Sequence, residues 1–493
     1  MSQETLTAPI RRVNPGAVVG FLIFVEFTSG LVQGYYLPLL PQLQQFLGVS
    51  DADISWFLTV QTLSAGVCVP VLSKLGDMYG HRRILRIAII SVLIGCVIVA
   101  FSPNLILTLI GRVLVGPLAV WLPLEIAIVH SRIRGETARK AIGNLVSSLT
   151  VGVFVGSLAG GMLGRFVESL TVLLIIPVVV LVICTIIVFT LIPESIMKHK
   201  STKIDGLGFV LLALFMVALL MGLRMAQANG FTNPIAIALV VGAFVLLGIF
   251  IWWELRVDEP AIDVRVIGSR TMWPLYVTAL LFGMVTFGTQ SPLATFVGAN
   301  PAEVGYGFNF GPDAIGLMTG GWSLLLALGA ATFAYLARPI GIGNVIRVGI
   351  ALNVVALLIL ALLNGNLVLF MTGMVLNGIG SGLLLGAMPA MIAELSPSGD
   401  TGIATGVYNS LRTMGGSAAG AIFAVILSSF AIEGANMSSQ QGYATVWLVC
   451  AGMFIAGFIV MFFQGSGKDE PKQVTSNDES AGAHAASSTD VEN

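Results

Sequence analysis

Ser148–Arg165 reads SLTVGVFVGSLAGGMLGR, in which Gly152, Gly156, Gly160 and Gly161 recur as G-x-x-x-G-x-x-x-G-G. Residues four apart share one face of a helix, so the stretch is predicted to be a helix with a smooth groove for a second backbone. Lipid supplies no hydrophobic drive between helices, and small-residue faces are the usual way membrane helices pack. The groove therefore belongs inside a bilayer, among other helices.

Composition agrees. The chain has 493 residues, 56% of them hydrophobic and 10% charged, with a mean hydropathy of +0.93. Soluble domains carry about 25% charged residues, so this is a polytopic membrane protein. A net charge of -1 excludes a basic nucleic-acid binder. The four cysteines lie in apolar runs without metal-like or redox-like spacing. The first apolar run, from Gly16, has no cleavage site after it and reads as a retained helix.

A span needs about 20 apolar residues. Runs of that length near 16–38, 54–74, 84–101, 105–129, 140–163, 170–192, 205–224, 234–254, 272–297, 314–337, 346–363, 366–392, 403–430 and 444–464 predict fourteen helices. With both termini inside, 20 of the 24 Lys and Arg residues fall in cytoplasmic segments, as the positive-inside rule requires. Only Arg165 falls in an outside loop, while Arg112, Arg224 and Arg412 lie within helices.

Gly111–Gly116 aligns with Gly373–Gly378, and Gly80 meets Gly343 near the same offset, which points to a duplicated fold. The expected organisation is a cytoplasmic N-tail (1–15), a six-helix bundle (16–192), two inserted helices with linkers (193–270), a second six-helix bundle (271–464) and a disordered cytoplasmic tail (465–493). Repeat-built transporters hold substrate near the midplane between repeats.

Between the second and third helices stands Ser73-Lys74-Leu75-Gly76-Asp77-Met78-Tyr79-Gly80-His81-Arg82-Arg83. It resembles the G-x-L-x-D-x-x-G-R-R signature of the major facilitator superfamily, with Ser73 for the first Gly and His81 for Arg. Arg112–Gly116 resembles that superfamily's R-x-x-Q-G element, with Val115 for Gln. The glycines of the fifth helix resemble its antiporter motif, with Ser157 for Pro. With fourteen helices, the resemblance narrows to the drug:proton antiporter branch. It implies an all-α fold of two six-helix halves and two inserted helices, in a multi-pass protein of the cytoplasmic membrane.

Several polar residues fall in the spans. Glu26 lies about eleven residues into the first helix, followed by Thr28. A charge there is costly unless paired or neutralised, and a carboxyl able to exist in both states is what proton coupling needs. The alternative is a structural carboxyl satisfied by a hydroxyl or by Arg112. Arg112 keeps its charge, so it either tunes Glu26, holds an anion, or bonds carbonyls opened by Pro117. The resemblance gives Asp77, Gly80, His81, Arg82 and Arg83 a gating role, with Glu125 latching onto the basic cluster; a plain interfacial carboxylate is the alternative. Gln33, Asn377 and Arg412 are candidate cavity groups, against an interfacial place for Gln33 and helix packing for Asn377. Arg224 and Glu254 are expected to snorkel.

No nucleotide motif or metal cluster is present in the spans, so neither an ATP-driven pump nor an enzyme is expected, and no cofactor. The expected partners are a small-molecule substrate, protons and the bilayer, with no nucleic acid and no obligatory protein partner. The resemblance implies a proton-coupled exporter of small amphipathic molecules, with multidrug efflux as the leading form. A proton-coupled symporter for a specific metabolite is the alternative.

Overall fold

The computed structural model describes residues 15–133, 135–192, 205–230, 232–257, 260, 264–269, 271–396 and 401–463. The expected tails and the linker lysines at 198, 200 and 203 lie outside these residues. Fourteen of the described helices are long and apolar enough to cross a membrane. In order they are Ala17–Leu47, Asp51–Tyr79, His81–Phe101, Leu105–Arg132, Lys140–Phe166, Leu170–Thr190, Gly206–Asn229, Pro234–Glu254, Trp273–Gly298, Pro312–Ile340, Ile342–Leu362, Leu367–Leu395, Ala404–Ser429 and Gln440–Phe463.

Spans one to six and nine to fourteen pack in the same pattern. The first span lies on the fifth and the ninth on the thirteenth. The third lies on the fourth and sixth, and the eleventh on the twelfth and fourteenth. Two seams join the halves, the second span on the thirteenth and the fifth on the tenth, and exchanging the halves turns one seam into the other. The repeat register differs from the expected one at the short turns. Gly80 (φ 106°) separates spans two and three, and its counterpart between spans ten and eleven is Gly341 (φ 81°), whereas Gly343 lies inside a helix. Both positions need a conformation that glycine adopts without strain.

The seventh and eighth spans pack on each other, and the seventh lies against the thirteenth and second. Arg224 is tied down there and does not snorkel: its Nη1 donates to Asp53 Oδ1, and Gln227 joins Asp53 to Trp56. Glu254 is likewise buried, beside Gly208 of the seventh span.

The glycine groove of the fifth span is a backbone seam. A Cβ built on Gly152, Gly156 or Gly160 would stand 2.2 Å from a carbonyl oxygen of the first span, at Phe27, Leu31 and Tyr35 in turn. Gly30 and Gly34 return the approach, since a Cβ built on either would stand 2.1 Å from a carbonyl oxygen of the fifth span. These contacts join two helices of one half. Of the four motif glycines Gly161 alone faces the other half, where a Cβ built on it would stand 2.4 Å from Pro312 O and 3.0 Å from Gly316 Cα. Substitution should separate the two cases. Gly156→Ala is expected to cost about 1–3 kcal/mol by overpacking and to lower the melting temperature of the solubilised protein. Gly20→Ala, where nothing lies within 4 Å of the added carbon, should leave it unchanged.

Candidate functional site

Pro117 has no N–H for Val113 O, so the fourth span is built as Leu105–Val115, a 3-10 turn Gly116–Val120, and Trp121–Arg132. No water in a bilayer core satisfies a released carbonyl. Here Ser64 Oγ of the second span donates to Val113 O at 2.6 Å, and Ser91 Oγ of the third donates to Leu114 O at 2.9 Å. The break places Arg112 and Glu125 on two separately aimed segments.

Arg112 is 3% exposed. Its Nε donates to Phe57 O at 3.2 Å and its Nη2 to Gln61 Oε1. The guanidinium lies 4.0 Å from the Phe57 ring centre and 4.9 Å from that of Tyr36, where ring quadrupoles attract a cation. It neither pairs with Glu26 nor caps the carbonyls at Pro117. The second span presents an amide oxygen and the Phe57 ring to it, the first span adds the Tyr36 ring, and Ser64 already occupies Val113 O.

Glu26 is 1% exposed and Glu125 fully buried. The first span packs on the Trp121–Arg132 segment, and the two carboxyls lie within electrostatic range of each other. Cys184 of the sixth span meets both, with the Thr28 hydroxyl beside its thiol. Thr28 Oγ1 itself donates to Phe24 O at 2.9 Å. Among the described residues neither carboxyl makes a hydrogen bond or ion pair; Glu26 Oε2 and both oxygens of Glu125 are buried without a partner. The expected latch between Glu125 and the basic cluster is therefore not formed. Glu125 points into the half, towards Glu26.

The basic cluster serves its own half instead. Asp77 is the last acid of the second span, and its Oδ1 lies 3.0 Å from Nε2 of the buried His81 across the Gly80 turn. Arg82 and Arg86 both donate to Phe189 O, at 2.9 and 2.6 Å. That carbonyl ends the sixth helix, where the helix dipole favours positive charge. Arg83 is exposed. Gln33 is also exposed and donates to Ser29 Oγ at 3.1 Å. Asn377 is a packing residue: it accepts from Trp322 Nε1 at 2.9 Å and donates to Asn353 Oδ1 at 2.8 Å, linking spans ten, eleven and twelve. Arg412 is half-buried, with its guanidinium 5.5 Å from the Phe287 ring and 5.7 Å from that of Tyr408.

At the end remote from the Gly80 turn, a set of contacts closes the bundle. Asp51, 1% exposed, accepts from Gln44 Nε2 at 2.8 Å and from the backbone N–H of Ser438 at 2.7 Å. Its own N–H donates to Asn436 O at 3.2 Å. Arg165 Nη1 donates to Asp313 Oδ2 at 2.5 Å. Nearer the midplane, Ser157, which replaces the motif proline, lies 2.5 Å from Thr319 Oγ1 of the other half. These bonds between the halves, from Asp51 to Ser438 and Asn436, Arg165 to Asp313 and Ser157 to Thr319, lie at this end or near the midplane. Reading the sequence did not single out Asp51. Its one local signal was the capping box Ser50–Asp53 at the start of the span; nothing local shows that Ser438 comes to meet it.

The family model for the Major Facilitator Superfamily matches residues 22–299 and 275–489. The chain is 23% identical over 482 residues to the uridine/deoxyuridine transporter of Lactococcus lactis subsp. cremoris (strain MG1363), covering 92% of this chain and 96% of that one. It is 23% identical over 461 residues to the quinolone resistance protein NorB of Staphylococcus aureus (strain MRSA252), covering 90% and 94%. Among solved structures, the nucleoside transporter NupG superposes with a TM-score of 0.64 at 16% identity, over 91% of this chain and 99% of that one. The human organic anion transporter MFSD10 does so with 0.60 at 17%, over 91% and 100%.

Exposed ion pairs contribute little, so the Arg165–Asp313 pair is not what holds the closed end together. Asp51→Ala leaves the buried Ser438 N–H unpaired, at about 1–3 kcal/mol, and leaves Gln44 Nε2 with Asn436 O as its remaining acceptor. The closed state should lose population accordingly. Cysteines placed at positions 165 and 313 in a background lacking the native thiols report this directly. Their disulfide should form several-fold more slowly with Asp51→Ala than with Asp51 intact.

Proposed function

The chain belongs to the Major Facilitator Superfamily, and we propose that it is a proton-coupled secondary transporter exporting small amphipathic molecules, of the fourteen-span drug:proton antiporter kind. The observation that carries this reading is Glu26, an acid in the middle of the first span, 1% exposed and without a counter-charge. An unpaired carboxylate at that depth costs several kcal/mol, so the group is suited to hold a proton while sealed and release it when water reaches it. The likeness to the quinolone resistance protein supports export.

In this reading the basic end with the Gly80 turn is cytoplasmic, both termini lie inside, and the protein sits in the cell membrane. The Asp51 end is then the outer one, and the structure is closed to the outside. Substrate enters from the cytoplasm between the halves. Breaking the Asp51 contacts releases it outside, where protons reload the carboxyl and return the transporter. Gly152, Gly156 and Gly160 keep the first and fifth spans moving as one body, while Gly161, Gly316, Ser157 and Thr319 form the boundary across which that body moves.

A proton-coupled symporter is the second reading, favoured by the likeness to the uridine/deoxyuridine transporter. Inverted membrane vesicles with an imposed pH gradient decide between them, using a panel of dyes, antibiotics and nucleosides. Antiport concentrates substrate inside the vesicle when the lumen is acid, whereas symport drives it out. Glu26→Gln is expected to lower pH-driven accumulation at least about tenfold while gradient-free exchange of the same compound persists. Accumulation by that variant at the wild-type level would remove Glu26 from the coupling step.

A further inference from the structure

We propose that Glu26 and Glu125 together form one proton-binding site, a buried carboxyl pair that holds and releases its protons as a unit. This deepens the proton-coupled reading and rests on it for its role in transport. The pair itself is a property of the protein and is testable without a substrate.

Three observations lead there. The two acids come from different helices, the first span and the inner segment of the fourth, which pack on each other, and their charges lie within range of mutual repulsion. They are among the most deeply buried acids of the protein, at 1% and 0% exposure. Among the described residues neither has a hydrogen bond or an ion pair. The groups facing them are the Cys184 thiol of the sixth span and the Thr28 hydroxyl. Arg112, the buried cation of the fourth span, is turned to Phe57, Gln61 and Tyr36 of the first and second spans. Arg82 and Arg86 are turned to Phe189 O.

Physics then restricts the states of the pair. A lone buried carboxylate is costly, and two in mutual range repel as well. In this sealed conformation the doubly ionised pair is the least favourable state, and the protonated pair needs no counterion. Release is plain acid dissociation: each carboxyl O–H gives its proton to water, and the electron pair of that bond stays on the oxygen. It requires water to reach the pocket. The Pro117 break supplies a place to open it, because Trp121–Arg132 can tilt without moving Leu105–Val115, which Ser64 and Ser91 hold. A pair of this kind carries up to two protons per cycle, so an uncharged substrate would be exchanged with net movement of charge.

Dicyclohexylcarbodiimide tests the pair on the purified full-length protein. It reacts with the protonated acid, whose proton passes to the carbodiimide nitrogen as the carboxyl oxygen bonds to its central carbon. Peptide mass spectrometry then reads modification of Glu26 and Glu125 against pH. Interacting sites titrate as a pair, so the pH at which Glu26 ceases to react should move by at least about one unit in Glu125→Gln. Glu125→Asp, which keeps an acid there, should restore a two-step profile, and thermal melting of each variant checks folding. Identical Glu26 profiles in wild type and Glu125→Gln would overturn the pair. The vesicle assay separates this from failure of the coupling reading. If the profile moves but Glu26→Gln still accumulates substrate, coupling fails and the pair stands. If the profile is fixed while Glu26→Gln is uncoupled, Glu26 acts alone.

Discussion

Everything in the first half hangs on the close approach of two backbones. Gly30 and Gly34 of the first span meet Gly152, Gly156 and Gly160 of the fifth, with no side chain between the two main chains. In lipid, this kind of packing replaces the hydrophobic drive that holds a soluble bundle together. With Glu26 one turn from Gly30, and Gly161 one residue past the seam, the same contact fixes the buried acid and the boundary with the second half. A methyl group at the seam would therefore act on both.

A second constraint is that polar groups in a bilayer must be satisfied by protein. Pro117 frees a carbonyl in the fourth span and Ser64 takes it up, which turns a defect into a fixed joint. Arg112 is held by a carbonyl, an amide and two rings, with no acid involved. That leaves Glu26 and Glu125 with each other. The positive and negative groups of this half are kept apart, and the acids are uncharged most economically by protons.

The two ends of the bundle are built differently. At the basic end, the motif contacts stay within the first half: Asp77 to His81, and Arg82 and Arg86 to the end of the sixth helix. At the other end, buried Asp51 bonds across the halves to the loop before the fourteenth span. The pair Arg165–Asp313 adds an exposed contact there, which solvent weakens.

The fourteen spans and the superfamily were legible in the sequence because they depend on local properties: run length, basic loops and turn glycines such as Gly80. The residues that matter chemically were legible for the same reason, since a Glu or Arg inside an apolar run is costly wherever it points. What each one faces was not legible. Periodicity gives the side of a helix but not the neighbour on that side, so Arg112 could be read against Glu26 when it turns to Phe57 and Gln61. Glu125 could be read against Arg82 when the Pro117 break aims it at Glu26. Asn377 passed for a cavity group until Trp322 and Asn353 came to meet it. Asp51 showed only the capping box around it, because its partner Ser438 lies 387 residues away, and only the packing of the two halves brings that N–H to the carboxylate.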